Sequence, residues 1–270
     1  MNEEFVSVIV PTKNSIDTIE MCLKSIKNQT YPHIEVIVVD NYSEDNTADA
    51  ARKYAAVFFK GPERSAQRNH GAEKARGEYL VFIDSDMELN PKVIEECIYE
   101  ISGAGVGAVV IPEVSVGEGF WAHCKALERS CYLGDETIEA ARFFEKNIFL
   151  RMGGYDETMD GGGEDWDLPH RVKKAGYKIG RIDSLILHHE GKLRLLRTMK
   201  KKYYYAKTIR NYIRKNPEMA KKQLVLIRPA YIRHWRRLIR DPIHAAGFMF
   251  MKICEFSAGG AGLVMGKVGK

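Results

Sequence analysis

The sequence predicts an α/β fold in which a mostly parallel sheet is flanked by helices. Short apolar strands alternate with helical patterns along the first half of the chain. These strands are apolar along their whole length, which is typical of parallel strands that are covered on both faces. The chain has 270 residues, of which 45% are hydrophobic, so one catalytic domain and an appendage are expected.

The elements follow one another in a regular order. Residues 6–10 form an apolar, β-branched run that Pro11 stops, and residues 16–27 then show helical spacing. Further strands are predicted at 34–39, 57–59, 79–83, 109–112 and 182–187, and further helices at 47–54, 66–75, 91–101 and 118–138. In such a sheet, ligands bind beyond the carboxyl ends of the strands, where the polar segments 11–14, 40–45 and 84–86 lie.

Charge is distributed unevenly between the two ends of the chain. Residues 1–190 contain 21 Lys or Arg against 33 Asp or Glu, whereas residues 191–270 contain 20 against 3. An acidic region suits metal-assisted chemistry, and a basic tail suits anionic lipid or nucleic acid. The sequence therefore predicts a catalytic domain at 1–190 and a basic, helical extension at 191–270.

The pattern of the termini and cysteines indicates a cytoplasmic protein. The apolar run at the N-terminus is too short for a signal peptide, and no stretch of 18 residues is free of charge. Five widely spaced cysteines without a paired CxxC motif are expected to be reduced and buried.

Two carboxylates, Asp84 and Asp86, directly follow the predicted strand 79–83 and are separated by Ser85. Hard oxygen ligands of this kind suit Mg²⁺ or Mn²⁺ that bridges a diphosphate. A solvated turn with an Asp cap is the alternative, because Asp-x-Asp alone is a weak motif. The position at the end of a buried strand favours the metal-binding interpretation.

Together with other segments, this motif resembles the family 2 glycosyltransferases, whose fold is the nucleotide-sugar-binding domain called GT-A. The resemblance extends over residues 5–190. It depends on 6–14 (VSVIVPTKN), 36–47 (VIVVDNYSEDNT), 68–71 (RNHG), 84–86 (DSD) and 164–167 (EDWD).

The resemblance implies the residues of the donor site. Pro11, Thr12 and Asn14 would wall the nucleotide pocket, Asp40 would hydrogen-bond the base, and Arg68 would lie near the base or diphosphate. Asp84 and Ser85 would also bind the nucleotide sugar, and Asp86 would bind the metal. Many members have Asp-Asp-Gly-Ser where this chain has Asp40-Asn41-Tyr42-Ser43. Arg64 is expected to be a surface cation.

The resemblance also implies a catalytic pair. Asp165 would be the base that removes the acceptor proton in inverting transfer, and Glu164 would orient the acceptor or the loop. The preceding glycines at 161–163 would let the backbone approach the acceptor closely. If the acceptor is a phosphate, Asp165 would act by positioning, and the acidic residues also suit a helix N-terminus.

One of two adjacent histidines is expected to be a further metal ligand by the same resemblance. His188 and His189 end the predicted strand 182–187, and adjacent strand residues face opposite ways, so only one qualifies. His188 is slightly favoured, and a histidine hydrogen-bonded to backbone is the alternative.

The tail predicts attachment to a membrane surface. Residues 193–212 interleave cations with apolar and aromatic side chains at helical spacing, and residues 231–240 form a second basic stretch. Residues 243–266 are apolar but contain Lys252 and Glu255, which are costly in hydrocarbon, so an interfacial helix is expected rather than a spanning one.

These observations predict a metal-dependent inverting glycosyltransferase on the cytoplasmic face of a membrane. It would use a UDP- or GDP-linked sugar, Mn²⁺ or Mg²⁺, and a polyprenyl-phosphate or lipid-linked saccharide acceptor, with no nucleic acid. A sugar-phosphate nucleotidyltransferase is one alternative, but its glycine-rich basic first loop is not found at 11–14. A nucleic-acid-binding protein is the other, and it leaves both acidic clusters unexplained.

Overall fold

The computed structural model describes residues 4–159 and 162–265. Within them the chain divides into two compact units that do not follow the order of the sequence. Unit 1 contains residues up to Pro112, Ala140–Glu157 and Glu164–Leu187, and unit 2 contains Glu113–Glu139, Thr158–Gly163 and the residues from His188 onwards. The functional boundary near Gly191 stays a prediction.

Unit 1 is built from alternating strands and helices. Its strands are β1 (Val6–Thr12), β2 (Ile34–Asp40), β3 (Ala56–Phe59), β4 (Tyr79–Phe82), β5 (Met87–Leu89), β6 (Val106–Val110), β8 (Ala141–Glu145) and β9 (Lys178–Arg181), numbered in chain order with β7 in unit 2. Its helices are α1 (Ile16–Lys27), α2 (Thr47–Arg52), α3 (Arg64–Lys74), α4 (Val93–Ile101), α6 (Lys146–Arg151) and α7 (Glu164–Lys174), with α5 in unit 2.

The main sheet of unit 1 has the strand order β3-β2-β1-β4-β8-β6-β9. The pairs β1–β2, β2–β3, β1–β4 and β6–β9 are parallel. Strand β8 lies antiparallel between β4 and β6. The mostly parallel α/β architecture that the sequence predicts is therefore confirmed, with one reversed strand near its centre.

Both faces of this sheet are covered, which explains why its strands are apolar throughout. Side chains of β1 alternate between two buried clusters, with Val8 and Val10 in one and Ile9 in the other. The carboxyl ends of β1, β2 and β4 consequently meet at one edge, where their polar loops converge.

Two of the predicted elements have other bounds in the structure. The predicted strand 182–187 is wrong, because β10 covers Ile186–Lys192 and so contains His188 and His189 instead of ending before them. The predicted helix 118–138 is too long, since the observed helix α5 covers Phe120–Ser130 and is followed by turns. Short runs with little periodicity give weak boundary signals.

Unit 2 is mainly helical. It contains the strand β7 (Glu113–Glu118), most of β10, and α5. The chain then forms α8 (Leu195–Thr208), α9 (Arg210–Lys215), α10 (Pro217–Gln223), α11 (Pro229–Arg233), α12 (Trp235–Arg240) and α13 (Pro242–Met265). The C-terminal helical extension is thus present, and α13 is by length and composition able to cross a membrane.

A buried ionic network joins α5 to α13 inside unit 2. The ammonium of Lys252 lies 2.8 Å from Glu128 Oε1 and 3.0 Å from Glu255 Oε2. Lys125 lies 2.9 Å from Glu128 Oε2, and the hydroxyl of Tyr132 donates to Glu128 Oε1 at 2.6 Å. Although burial alone would raise the pKa of Glu128, Lys125 and Lys252 hold that pKa well below its ordinary value. These five side chains form what we call the lysine–glutamate network.

We expect Lys252→Met to lower the free energy of unfolding of unit 2 by about 3–5 kcal/mol, because it leaves Glu128 and Glu255 buried with one cation fewer. Lys221→Met, which removes an ammonium that is 73% exposed, should cost less than about 1 kcal/mol. Denaturant unfolding measures both. The double variant Lys252→Met/Glu255→Met should be less destabilised than Lys252→Met alone, and equal losses in Lys252→Met and Lys221→Met would contradict the prediction.

Candidate active site

The loops after β1 and β2 are tied together by side-chain hydrogen bonds. Asn14 lies in the left-handed region at φ 47°, so its backbone N–H donates to Ser43 Oγ at 2.8 Å. Its side-chain oxygen accepts from the backbone N–H of Glu44 at 2.9 Å. The fully buried Asp40 accepts from the backbone N–H and the hydroxyl of Ser43 at 2.6 and 2.7 Å. Asp40 therefore shapes its loop, and its contact with a base stays a prediction.

The remaining predicted donor-site residues lie at the same edge of the sheet. Pro11 and Thr12 are the last residues of β1, and Gln67 donates to the carbonyl of Thr12 at 3.0 Å. Ser85, in the loop after β4, donates to Ser15 Oγ at 2.9 Å. The structure thus brings the loops after β1, β2 and β4 together, as the parallel order requires.

Arg68 connects the two acidic motifs of the sequence. Its side chain is fully buried, and it lies 2.9 Å from Asp84 Oδ1 and 2.6 Å from Asp165 Oδ1. The guanidinium also stacks on the ring of Tyr155, with its central carbon 5.0 Å from the ring centroid. One rigid, planar cation therefore fixes the position of the loop after β4 relative to the first turn of α7.

Two further arginines surround Asp84. Arg142, on β8, lies 3.6 Å from Asp84 Oδ2, and Arg64 lies 3.9 Å from the same atom. Although burial would raise the pKa of Asp84, Arg68, Arg142 and Arg64 hold it far below its ordinary value. Asp84 is therefore an anion that organises the arginines.

Arg64 pairs with acidic residues of this cluster, whereas the sequence favours a surface cation. Its guanidinium lies 3.4 Å from Glu164 Oε1, and its side chain is 37% exposed, whereas Arg68 is fully buried. Arg64 is therefore the more accessible of the two cations to a phosphate. The sequence could have indicated the position of Arg64, because Arg64 and Arg68 are four residues apart and residues at that spacing share one face of a helix.

Glu164 is an unusual carboxyl group of this cluster. It is only 3% exposed, and burial together with the neighbouring charge of Asp165 raises its pKa to about 7, against the opposing effect of Arg64 and Arg68. A carboxyl group that exchanges its proton near neutral pH is a recurrent feature of catalytic sites.

We expect Glu164→Gln to stabilise the protein at pH 8 and to have little effect at pH 5. The folded protein keeps a proton on Glu164 between its ordinary pKa of 4.5 and about 7, where the unfolded chain has lost it. Stability therefore falls as pH rises through this window, by on the order of 3 kcal/mol at most. Denaturant unfolding at both pH values measures the difference. Glu73→Gln, whose side chain is 67% exposed, is the control, and a Gln variant that is no more stable at pH 8 would contradict the assignment.

The family is decided by comparison of the sequence with known families. A profile described as glycosyl transferase family 2 matches residues 7–155, more than half of the chain. This chain belongs to glycosyl transferase family 2. Membership of this family favours transfer of a sugar over the nucleotidyltransferase and nucleic-acid-binding alternatives. A second profile, the N-terminal domain of galactosyltransferase, matches residues 136–195 of the chain and so includes Glu164 and Asp165.

Curated relatives agree with this assignment. The chain is 36% identical over 115 residues to glycosyltransferase AglE of Haloferax volcanii, a match covering 39% of this chain and 38% of that protein. It is 26% identical over 211 residues to succinoglycan biosynthesis protein ExoA of Rhizobium meliloti, covering 69% and 64%. Each match spans less than two thirds of the relative.

Solved structures share the fold of this chain. The mannosyltransferase PcManGT of Pyrobaculum calidifontis, in complex with GDP-Man and Mn²⁺, aligns with a TM-score of 0.62 at 18% identity and covers 100% of this chain and 77% of that one. TarS of S. aureus in complex with UDP aligns with a TM-score of 0.53 at 16% identity, covering 98% and 92%. At these identities the likeness establishes the GT-A fold.

The side chains of the described residues do not by themselves build a metal site. Across residues 4–159 and 162–265, no group of three or more His, Cys, Asp or Glu side chains is close enough to hold a metal ion. Mg²⁺ typically takes one or two carboxylates and completes its shell with substrate phosphates and water. Asp84 pairs with three arginines, and the half-buried Asp86 follows the same strand. The residues therefore fit a metal that arrives with its diphosphate.

His188 and Gly163 have neighbours within unit 2. His188 Nδ1 lies 3.6 Å from Glu113 Oε2, and metal binding by His188 or His189 stays a prediction. Gly163 has φ 95°, and a Cβ there would lie 2.7 Å from Tyr212 Cβ, so this glycine admits a tyrosine ring. Gly161 lies outside the described residues.

Proposed function

We propose that this chain transfers a sugar, with inversion, from a nucleotide-diphosphate sugar to a membrane-associated acceptor, assisted by a divalent cation. The observation that carries the proposal is the buried Arg68, which joins Asp84 of the first acidic motif to Asp165 of the second. By linking the predicted donor loop to the predicted base, this cation would hold the donor and the base at a fixed distance from each other.

The donor would lie at the carboxyl ends of β1, β2 and β4. Pro11, Thr12 and Asn14 would line the nucleotide pocket beside Asp40, and Ser85 would lie near the sugar. The exposed part of Arg64, with Arg68 behind it, would face the diphosphate. GDP-Man and UDP in the structures of similar fold support a GDP- or UDP-linked donor.

Asp86 would hold Mn²⁺ or Mg²⁺ together with the diphosphate. When bound, the cation supplies Lewis-acid stabilisation of the charge that the leaving nucleotide diphosphate gains. Mn²⁺ beside GDP-Man in PcManGT supports this part of the proposal.

Asp165 would remove the proton of an acceptor hydroxyl as that oxygen attacks the anomeric carbon. Its side chain is 35% exposed, so it remains accessible to an acceptor while Arg68 holds one of its oxygens. Glu164 lies beside it and exchanges its proton near neutral pH, so the rate of transfer should change with pH through about 7. With a phosphate acceptor, which needs no base, the same contact would position the acceptor.

The acceptor would be a polyprenyl phosphate or lipid-linked saccharide at the cytoplasmic face of a membrane. Residues 191–270 contain 20 Lys or Arg but only 3 Asp or Glu, and this positive charge supports attachment to anionic lipid. The biosynthetic relative ExoA, described as a succinoglycan biosynthesis protein, agrees with a role in glycan assembly.

Calorimetric titration with UDP and with GDP, each with and without Mn²⁺, tests the donor site. We expect one nucleotide to bind in a Mn²⁺-dependent manner, and Asp86→Ala to weaken that binding at least about 100-fold, since one metal ligand supports several kcal/mol of charge stabilisation. Asp49→Ala, which removes a carboxylate that is 75% exposed on α2, should bind as wild type does. If neither UDP nor GDP bound, with or without Mn²⁺, the proposed donor site would be wrong.

A further inference from the structure

Helix α13 has two faces of opposite character. One face carries Gly247, Phe248, Met251, Lys252, Glu255 and Gly262, all of which are buried. The opposite face carries apolar side chains that remain exposed: Ile243 at 70%, Phe250 at 54%, Ile253 at 51% and Val264 at 63%. On a helical wheel these four lie within a quarter of the circumference, so they form one continuous stripe. We call it the outer stripe of α13.

The buried face cannot be withdrawn without breaking the lysine–glutamate network. Lys252 and Glu255 of α13 are bound to Glu128 and Lys125 of α5. Gly262 also lies against α8, where a Cβ would meet the carbonyl carbon of Tyr203 at 3.0 Å. If α13 left unit 2 to span a bilayer, it would take Lys252 and Glu255 into hydrocarbon and leave Glu128 with fewer partners.

Helix α12, which also packs against α13, adds the positive charges that a lipid-binding surface requires. In α12, Trp235 is 52% exposed and Ile239 is 59% exposed, and they are four residues apart, on one face. The neighbouring Arg236 and Arg240 are exposed as well. Exposed apolar side chains bordered by arginines match an anionic interface, where the arginines meet headgroups and the apolar groups enter the acyl boundary.

We propose that the outer stripe of α13, together with α12, docks unit 2 in the plane of an anionic lipid surface while the lysine–glutamate network keeps α13 folded against α5 and α8. The occupant of the exposed stripe is lipid, and α13 lies along the membrane without crossing it. The inference rests on the proposed membrane location and gives that location a defined surface and orientation.

Vesicle flotation tests the surface. Wild type should bind vesicles of phosphatidylcholine with phosphatidylglycerol and bind pure phosphatidylcholine at least tenfold more weakly, in proportion to the arginines that meet headgroups. Phe250→Ser/Ile253→Ser should weaken binding about 100-fold, because two apolar side chains no longer enter the acyl boundary. The matched control is Tyr99→Ser/Leu150→Ser, which changes two exposed apolar residues of unit 1, at 81% and 50%, and should bind as wild type.

Depth measurement tests the orientation. Single fluorophores are attached to the variants Ile243→Cys, Ile253→Cys and Val264→Cys in a Cys254→Ala background, and their fluorescence is quenched by nitroxide lipids of known depth. An in-plane helix places all three probes at the same shallow depth. A spanning helix places the probe at 253 near the bilayer centre and the other two at its edges, because 21 residues rise by about 30 Å, and that result would overturn the proposal.

The outcomes separate the inference from the location on which it rests. Wild-type binding by Phe250→Ser/Ile253→Ser overturns the docking surface but leaves the membrane location standing. Binding of wild type to neither vesicle overturns both. If sedimentation shows instead a dimer that the same double variant dissociates, the stripe binds a second copy and the lipid proposal is wrong. Donor binding, measured by calorimetry without vesicles, should be unchanged in every variant.

Discussion

Asp165→Asn should lower the rate of transfer by about 10²–10⁴-fold and leave nucleotide binding unchanged. The amide is of the same size and can still accept the hydrogen bond that Arg68 makes to Asp165 Oδ1 at 2.6 Å, so the geometry of the site should persist. What the variant loses is a basic oxygen for the acceptor proton. Transfer under saturating donor and acceptor, with calorimetry of the nucleotide, measures the two quantities separately.

The matched control is Asp167→Asn, two residues further along the same helix. Asp167 pairs with Arg171 of α7, whose Nε lies 2.7 Å from Asp167 Oδ2. We expect this variant to transfer at close to the wild-type rate. Full transfer by Asp165→Asn to a hydroxyl acceptor would remove Asp165 as the base, whereas full transfer to a phosphate acceptor alone would agree with a positioning role.

Arg68→Met should abolish transfer and lower the free energy of unfolding by about 3–5 kcal/mol, since Asp84 and Asp165 both lose their buried partner. Arg68→Lys separates these effects. A single ammonium keeps the charge but cannot contact both carboxylates in the planar arrangement of a guanidinium. We therefore expect the Lys variant to fold and to transfer about 100-fold more slowly, because the two motifs are no longer held at a fixed distance.

Arg76→Met controls for loss of an ion pair in unit 1. The side chain of Arg76 is 76% exposed and pairs with Glu35, so its removal should cost less than about 1 kcal/mol and leave transfer intact. Thermal unfolding and single-turnover transfer are measured on all three variants. If Arg68→Lys transferred at the wild-type rate, the bridge between Asp84 and Asp165 would have no role in positioning.

The sequence predicts most of unit 1 because its signals are local. The apolar strands at 6–10 and 34–39 are read from periods of a few residues, and parallel order then brings their polar ends together. Strand β8 is absent from the sequence prediction, because Ala-Arg-Phe-Phe-Glu is short and carries charges at two of its five positions. Its place between β4 and β6 is a long-range pairing that local patterns do not specify.

The site shows the same division between local and long-range information. Asp84, Asp86 and Asp165 are identified by motif, but the contact of Asp84 with Arg142 depends on where β8 is inserted. In α13 the pairing of Lys252 with Glu255 follows from a spacing of three residues and is observed at 3.0 Å. The partners of that pair on α5 could not be predicted, because tertiary packing alone brings two distant helices together.

Anomeric configuration of the first product tests inverting transfer most directly. The reaction is run with the donor that calorimetry identifies and with a soluble acceptor analogue. Proton NMR then reports the coupling at the anomeric carbon of the first product formed. A single displacement with Asp165 as base predicts a product of opposite configuration to the donor sugar. A product that retains the donor configuration would contradict the proposed roles of Asp165 and of the Arg68 bridge.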